Sequence, residues 1–254
     1  MTNENYFSRE NNNKYMSVSQ FKAFDKCEAA ALAQIKGEYE QPKSTALLVG
    51  SYVDSHFEGT LDIFKAKNPD LFKRNGELKS EYVQADEIIN RIERDPLMMM
   101  FLDGRKQVIM TGEIAGVKVK IKVDALHDDK IVDLKVMKDF QNIYLPEQGR
   151  VSFIEAWGYD LQGAVYQEIV RQNTGEKLPF FIAAATKEKV PDIGIFEIEQ
   201  ELLDFELDKF KERVGAYDLI KKGVLPAERC EKCDYCKATK ILEKVMKVSE
   251  LNFD

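Results

Sequence analysis

The sequence predicts an α/β (α+β) fold in which helices flank a mixed central β-sheet. Apolar residues recur at helical spacing over much of the N-terminal part and then alternate with polar residues at 107–137, as they do in strands. Helical and strand patterns alternate again from 152 to 222. This order is typical of a domain in which helices cover a sheet. With 254 residues, of which 44% are hydrophobic, the chain is long enough to form one such domain.

The N-terminal part is predicted to be mostly helical. Residues 1–15 are polar and rich in asparagine, so we expect a flexible N-terminus there. Helical spacing predicts helices over 17–35, 45–57 and 80–94. Asn-Pro and Asn-Gly dipeptides predict a loop over 60–77, between the last two helices.

The C-terminal part is predicted to mix strands and helices. Three strands are expected within 107–137, with turns at Ala115-Gly116 and at 127–130. The later elements are an amphipathic helix over 152–172 with Trp157 on its apolar stripe, strands over 179–186 and 193–199, a helix over 200–222, and a short charged helix after Cys236. No linker interrupts this pattern, so we expect residues 16–250 to form a single domain.

The strongest chemical pattern is a charged cluster on the second and third predicted strands. A hairpin centred on Asp128-Asp129 places Asp124 directly opposite Asp133, with Lys135 on the same face. Opposed residues have Cβ atoms about 4.5–5.5 Å apart, so two carboxylates there repel each other. A cation between them relieves that repulsion, and Mg²⁺ commonly binds one or two carboxylates together with water and phosphate. The pattern predicts metal-assisted phosphodiester hydrolysis, in which Lys135 orients or deprotonates water.

The same strands also have a simpler interpretation. An antiparallel hairpin often exposes one polar face to water, so the charges would then be solvated surface. Lys118, Lys120 and Lys122 share the face of Asp124, and they form either a solvated edge or a track that contacts phosphates.

Charge and hydropathy exclude some classes of protein. The net charge of −7 argues against coating of nucleic acid by bulk charge, although a local basic channel stays open. No apolar run of about 18 residues predicts a membrane span. The polar N-terminus lacks the apolar region of a secretory signal, so we expect a cytoplasmic protein without a membrane partner.

Four cysteines in such a protein suggest reduced thiols or metal ligands rather than disulfides. Cys230, Cys233 and Cys236 have C-x2-C-x2-C spacing, which can bring several thiolates to one metal centre. Cys27 is the fourth. An iron–sulfur cluster, a zinc ion held by all four, and free thiols all remain open.

The acidic hairpin resembles the core motif of the PD-(D/E)XK nuclease superfamily. The motif is Asp124 followed by VDLK, which contains Asp133 and Lys135. The RecB-like branch adds a histidine on an upstream helix and Gln-x-x-x-Tyr on the next helix. Here His56 lies in LLVGSYVDSHFEG, and LQGAVY holds a glutamine and a tyrosine at that spacing. The chain is most similar to the phage RecE-like exonuclease (exonuclease VIII) family over about 15–245.

This resemblance implies a restriction-endonuclease-like core and a set of site residues. The implied metal ligands for Mg²⁺ or Mn²⁺ are His56, Asp124, Asp133 and the Leu134 carbonyl, and the implied catalytic residues are Asp124, Asp133, Lys135, Gln162 and Tyr166. Some RecB-like nucleases bind a 4Fe–4S cluster through one N-terminal and three C-terminal cysteines. By that similarity Cys27 and the segment 226–240 would close the chain ends around a cluster, with Zn²⁺ as the alternative.

The function implied is a Mg²⁺-dependent 5′→3′ exonuclease that resects double-stranded DNA ends for phage-type homologous recombination. The family likeness further implies a bacterial or phage-encoded protein, a ring-shaped homo-oligomer, and a single-strand annealing recombinase as partner. Two alternatives remain: a non-catalytic DNA- or protein-binding module on a nuclease fold, and an endonuclease of repair or restriction type.

Overall fold

A mixed β-sheet forms the centre of the molecule. The computed structural model describes residues 1–42, 44–146, 148–242, 245 and 247–248. In that part of the chain the sheet has the order β1-β2-β3-β6-β7, in which only the β3–β6 pair is parallel. Its strands are β1 (Arg105–Ile114), β2 (Val117–Leu126), β3 (Ile131–Met137), β6 (Phe180–Thr186) and β7 (Ile193–Glu197), and a separate hairpin joins β4 (Ile143–Leu145) to β5 (Gly149–Val151).

Helices cover both faces of this sheet. The described helices are α1 (Arg9–Lys14), α2 (Val18–Lys26), α3 (Glu28–Lys36), α4 (Thr45–Phe57), α5 (Leu61–Lys67), α6 (Ser80–Glu93), α7 (Pro96–Leu102), α8 (Phe153–Ala156), α9 (Tyr159–Thr174), α10 (Gln200–Lys221) and α11 (Asp234–Ala238). One core packs α2, α9 and α10 on the sheet, and the other packs α4, α6 and α7 on its opposite face. The predicted fold class is confirmed.

Both predicted hairpin turns are confirmed. Ala115 (φ 49°) and Gly116 (φ 78°) form the first turn, because a tight two-residue hairpin needs positive φ at its centre. In the second hairpin Ala125 pairs with Val132 and Leu126 with Ile131, which is the predicted register. The β2–β3 ladder has only these two pairs, and β3 continues beside β6. The two strands therefore separate at the level of Asp124 and Asp133.

The N-terminal segment is held against β2, which differs from the flexible N-terminus expected. Met16 exchanges backbone hydrogen bonds with the strand, accepting from the Lys120 N–H and donating to the Lys118 carbonyl. The Lys120 side chain is 1% exposed, and its Nζ donates to the Tyr6 carbonyl at 2.5 Å and to Asn12 Oδ1 at 2.7 Å. Lys120 is thus neither a solvated edge residue nor free to contact phosphate, because its ammonium already has buried partners.

Three other local predictions need correction. The helix predicted over 17–35 is two helices, because Cys27 has extended backbone geometry (φ −168°) between them. The helix predicted over 152–172 breaks at Gly158, whose φ is 62°, so Trp157 leaves the apolar stripe and is 56% exposed. The predicted loop 60–77 contains α5 and a 3₁₀ turn at Pro69–Leu71.

The last two features of the fold concern the C-terminal segment and the hydrophobicity of the helices. Half of the segment expected to form a charged helix after Cys236, namely residues 243, 244, 246 and 249–254, lies outside the described residues. Within the described part, none of the helices combines the length and apolar character that crossing a bilayer requires.

We expect Lys120→Ala to loosen the N-terminal segment. Loss of two hydrogen bonds from a buried ammonium should lower the free energy of local opening by about 1.5–3 kcal/mol. Amide hydrogen exchange across residues 5–15 measures this change. Lys118→Ala is the matched control, because Lys118 is exposed on the same strand face. Equal exchange in both variants would show that Lys120 does not hold the segment.

Candidate functional site

A cleft of about 390 Å³ opens where β2 and β3 separate. Side chains from the N-terminal segment, α2, α4, β2, β3 and α9 line it. Its charged lining residues are the acids Asp54, Glu58, Asp124 and Asp133 and the lysines Lys22, Lys120, Lys122 and Lys135. The cleft therefore combines an acidic group that can bind cations with lysines, among them Lys22 and Lys122, whose charge attracts an anionic substrate.

Asp124 is fixed by donors from both neighbouring strands. Its Oδ2 accepts the Leu134 amide N–H at 3.1 Å, a bond that replaces a ladder bond between β2 and β3. Its Oδ1 accepts from Gln107 Nε2 at 3.2 Å. Gln107 lies beside Asp124 on β1 with φ 52°, a left-handed conformation that few non-glycine residues adopt. The carboxylate is thus held in the gap between the strands. Leu134 contributes its amide here, and the metal-binding role of its carbonyl stays a prediction.

Asp133 is the most enclosed acid of the cleft. It is 2% exposed, accepts a hydrogen bond from Gln162 Nε2 at 2.7 Å, and forms an ion pair with Lys135. Burial raises the pKa of Asp133 to about 7; the ion pair with Lys135 opposes this rise and the nearby Asp124 adds to it. Burial alone would lower the pKa of Lys135, but attraction to Asp133 and Asp124 outweighs it and leaves that pKa raised. Lys135 is therefore a cation at neutral pH.

Helix α9 places two predicted residues in the cleft. Gln162 and Tyr166 are one helical turn apart and both line it, as their i, i+4 spacing predicts. The Tyr166 ring packs edge-on against Phe180, with centroids 6.1 Å apart. Lys135 Nζ lies 5.4 Å from the Tyr159 ring, so aromatic faces border the charged group.

His56 does not join the cluster. Its Nε2 lies 2.7 Å from Glu93 Oε1 on α6, and it is not among the residues that line the cleft. Residues 51, 54, 55 and 58 instead face the cleft from α4, because the spacing i, i+3, i+4, i+7 lies on one helix side. Sequence analysis missed Asp54 and Glu58, although their helical spacing from Ser51 was a usable signal.

The donor set suits a hard divalent cation. Asp54, Asp124 and Asp133 offer carboxylate oxygens, the ligands that Mg²⁺ prefers. Loss of water around Asp54 and repulsion from Asp124 raise the pKa of Asp54 well above its usual range. Carboxylates that disfavour each other's charge in this way are relieved by a bound cation. A bound metal ion would therefore relieve the repulsion among the acids of the cleft.

The four cysteines come from opposite ends of the chain and meet at one place. Their sulfur atoms all lie within 4.8 Å of one another, with Cys27 Sγ 3.6 Å from Cys236 Sγ and Cys230 Sγ 4.0 Å from it. Backbone N–H groups of the tight Cys230–Cys233 turn lower the pKa of Cys230 to about 6, which favours its thiolate. Sequence analysis predicted this grouping. The break at Cys27 between α2 and α3 turns that thiol towards the C-terminal segment.

The sulfur spacing suits a single ion. Four thiolates bound about 2.3 Å from one tetrahedral zinc lie about 3.8 Å apart, close to the shortest separations here. A 4Fe–4S cluster places irons and sulfides between its thiolates and needs a wider arrangement. The four thiols could hold a metal, and their geometry favours one ion.

We expect each chain purified without chelator and without air to contain one metal ion at the cysteines. Cys27→Ser or Cys230→Ser should remove most of it, since each takes away one of four thiolates. Elemental analysis for zinc and iron measures the content. Lys232→Ala is the matched control, because Lys232 lies between Cys230 and Cys233 but carries no thiol. About four irons per chain would instead identify a cluster, and absence of both metals would indicate free thiols.

Two comparisons relate this geometry to known proteins. The model of the DUF3799 family, described as a PDDEXK-like domain of unknown function, matches residues 17–239. A solved structure from Eubacterium rectale, titled a "putative exonuclease", is 49% identical and has a TM-score of 0.95, over 98% of this chain and 96% of that chain. The solved structure of SSO0001 is 11% identical over 78% of this chain and 86% of that chain, with a TM-score of 0.30, too low to carry an argument.

The comparison with curated proteins found no match. The resemblance to the RecE-like family stays a prediction, because these findings identify the broader PDDEXK-like fold. The family match spans most of the chain, and the mixed sheet with its cleft between two separating strands agrees with it. This protein belongs to the DUF3799 family of PDDEXK-like domains.

Proposed function

We propose that this protein is a metal-dependent nuclease that hydrolyses phosphodiester bonds in DNA. The observation that carries the proposal is the arrangement of Asp124, Asp133 and Lys135 in one cleft where β2 and β3 separate. Lys22 of α2 and Lys122 of β2 line the same cleft and supply positive charge for a nucleic-acid backbone. The likeness to the Eubacterium rectale structure, described as a "putative exonuclease", supports the same class of activity.

Asp124 and Asp133 would hold Mg²⁺ or Mn²⁺, and Asp54 would serve as the third side-chain ligand in place of His56. A bound ion of this kind polarises phosphate and lowers the pKa of its bound water. The chain's own contribution is to line one cleft with three carboxylates, with the Gln162 amide fixing the orientation of Asp133.

Lys135 acts as a fixed cation beside Asp133. Because its pKa is raised, it would stabilise negative charge that develops on the phosphate and orient water, rather than remove a proton. Tyr166 and Lys22 border the same space and would contact the phosphate backbone on either side.

Double-stranded DNA ends are the proposed substrate, with 5′→3′ polarity and a role in phage-type recombination as the narrower form. The net charge of −7 supports this view in one respect: the bulk surface repels DNA, so binding would concentrate at the lysines of the cleft. A ring-shaped oligomer and an annealing recombinase partner belong to the same proposal.

Digestion of linear and closed circular double-stranded DNA in Mg²⁺ tests the activity. We expect the protein to degrade linear DNA and spare circles, and Lys135→Ala to lower the rate about 10²- to 10³-fold, as loss of a fixed charge stabiliser does. Lys138→Ala is the matched control, because the Lys138 side chain is 94% exposed three residues further on.

Cleavage of closed circles would identify an endonuclease instead. Binding without cleavage of either substrate would identify a non-catalytic DNA-binding module, and equal activity of both lysine variants would remove Lys135 from the site.

Asp54 and His56 can be separated by their effect on metal binding. Mg²⁺ that binds only the folded protein raises its Tm, and we expect Asp54→Asn to reduce that rise because a carboxylate ligand is lost. His56→Ala should leave it unchanged, since His56 contacts Glu93 instead. Thermal unfolding across a Mg²⁺ titration gives both results. The opposite pattern, with His56→Ala impaired and Asp54→Asn unaffected, would restore the ligand set predicted from sequence.

A further inference from the structure

Phe7 is a large apolar side chain left in water at the rim of the cleft. It is 69% exposed, yet it lines the same cleft as Asp124 and Lys135. The Tyr6 ring meets it edge-on, with centroids 4.9 Å apart. Lys122 Nζ lies 5.4 Å from its ring centroid. The site therefore presents an open aromatic face next to a cation.

The backbone of Phe7 is fixed although its ring is free. Tyr6, the preceding residue, is 6% exposed, and its carbonyl accepts from the buried Lys120. The Phe7 carbonyl accepts from Asn12 Nδ2 at 3.1 Å. Met16 then pairs with β2. Contacts on both sides thus hold the segment in place, and none of them buries the ring.

We propose that Phe7 stacks on a nucleobase that is unpaired at the opened end of the duplex, in the strand whose backbone enters the cleft, and so positions the scissile phosphate. This inference rests on the proposed function and names a substrate contact for it. Sites for single strands combine a basic groove along the backbone with aromatic side chains that stack on bases. Lys122 and Lys22 supply the positive charge, and Phe7 supplies the aromatic face. Every base has a π-face, so Phe7 would favour a base over none without selecting its identity.

The experiment combines variants of Phe7 with DNA substrates that lack a single base. DNA substrates of one length carry a single abasic nucleotide at each of the first six positions from an end. Binding is measured with Ca²⁺ in place of Mg²⁺, after checking that no product forms, and kcat/KM is measured with Mg²⁺. The variants are Phe7→Ala, Phe7→Trp and the control Phe205→Ala. Phe205 matches Phe7 well, because it is 57% exposed on α10 with Lys209 Nζ 4.4 Å from its ring and lies outside the cleft lining.

We expect the wild-type protein to lose about 5- to 100-fold in affinity when the base is removed at one or two positions, the size of one base–aromatic stack. Phe7→Ala should bind normal and abasic strands equally, at the wild-type abasic level. Phe7→Trp should recover the preference for a base, and Phe205→Ala should behave as wild type.

Three results would overturn the inference. Phe7→Ala would match wild type on every substrate, or would weaken binding of normal and abasic strands by the same factor, or would change only the oligomeric state. In each of these cases DNA cleavage by the wild type would persist, so the proposed function would stand without this contact. If the wild type neither bound nor cut DNA, both the function and the stacking contact would fall.

Discussion

The separation of β2 from β3 after two ladder pairs is the constraint on which the site depends. A sheet that continued its ladder would join the two strands at Asp124 and Asp133 and leave no room between them. Instead the Asp124 carboxylate accepts the Leu134 N–H, which satisfies an amide that has lost its strand partner. Because a side chain replaces the backbone partner here, the two strands diverge and leave a wedge-shaped gap. Asp133, Lys135 and helix α9 direct their polar groups into this gap.

Such a wedge places several charges where water is scarce, so its stability depends on pairing. Asp133 is enclosed but has both Lys135 and the Gln162 amide as partners. Asp54 has no equivalent ion pair among the described contacts, and burial together with repulsion from Asp124 raises its pKa well above the usual range. A carboxylate in this condition destabilises the folded protein when no cation is bound, and a bound cation stabilises it. The features that weaken the folded chain at this point are the same features that prepare it for a metal.

Two segments that are distant in sequence, the N-terminal segment and the C-terminal cysteine segment, pack against the rest of the fold and are held there. The N-terminal segment lies on the free edge of β2, fixed by Met16 and by the buried Lys120 ammonium, and it carries Phe7 to the cleft. The C-terminal cysteines meet Cys27 beside α3, where the Ala29 N–H also donates to the Glu228 carbonyl at 2.9 Å. The first closure shapes the site directly. The second holds α2, whose Lys22 reaches the same cleft.

The sequence by itself determined the sheet hairpins and their register, the i, i+4 placement of Gln162 and Tyr166, and the close spacing of Cys230, Cys233 and Cys236. Local periodicity and turn chemistry fix these features, because they depend on neighbours in the chain. Only the tertiary structure decided which face of α4 meets the cleft, and so selected Asp54 and Glu58 over His56. It also turned Lys120 inward and exposed Trp157 beyond the break at Gly158. Those outcomes depend on how separate elements pack and on which buried charges find partners, and no local pattern contains that information.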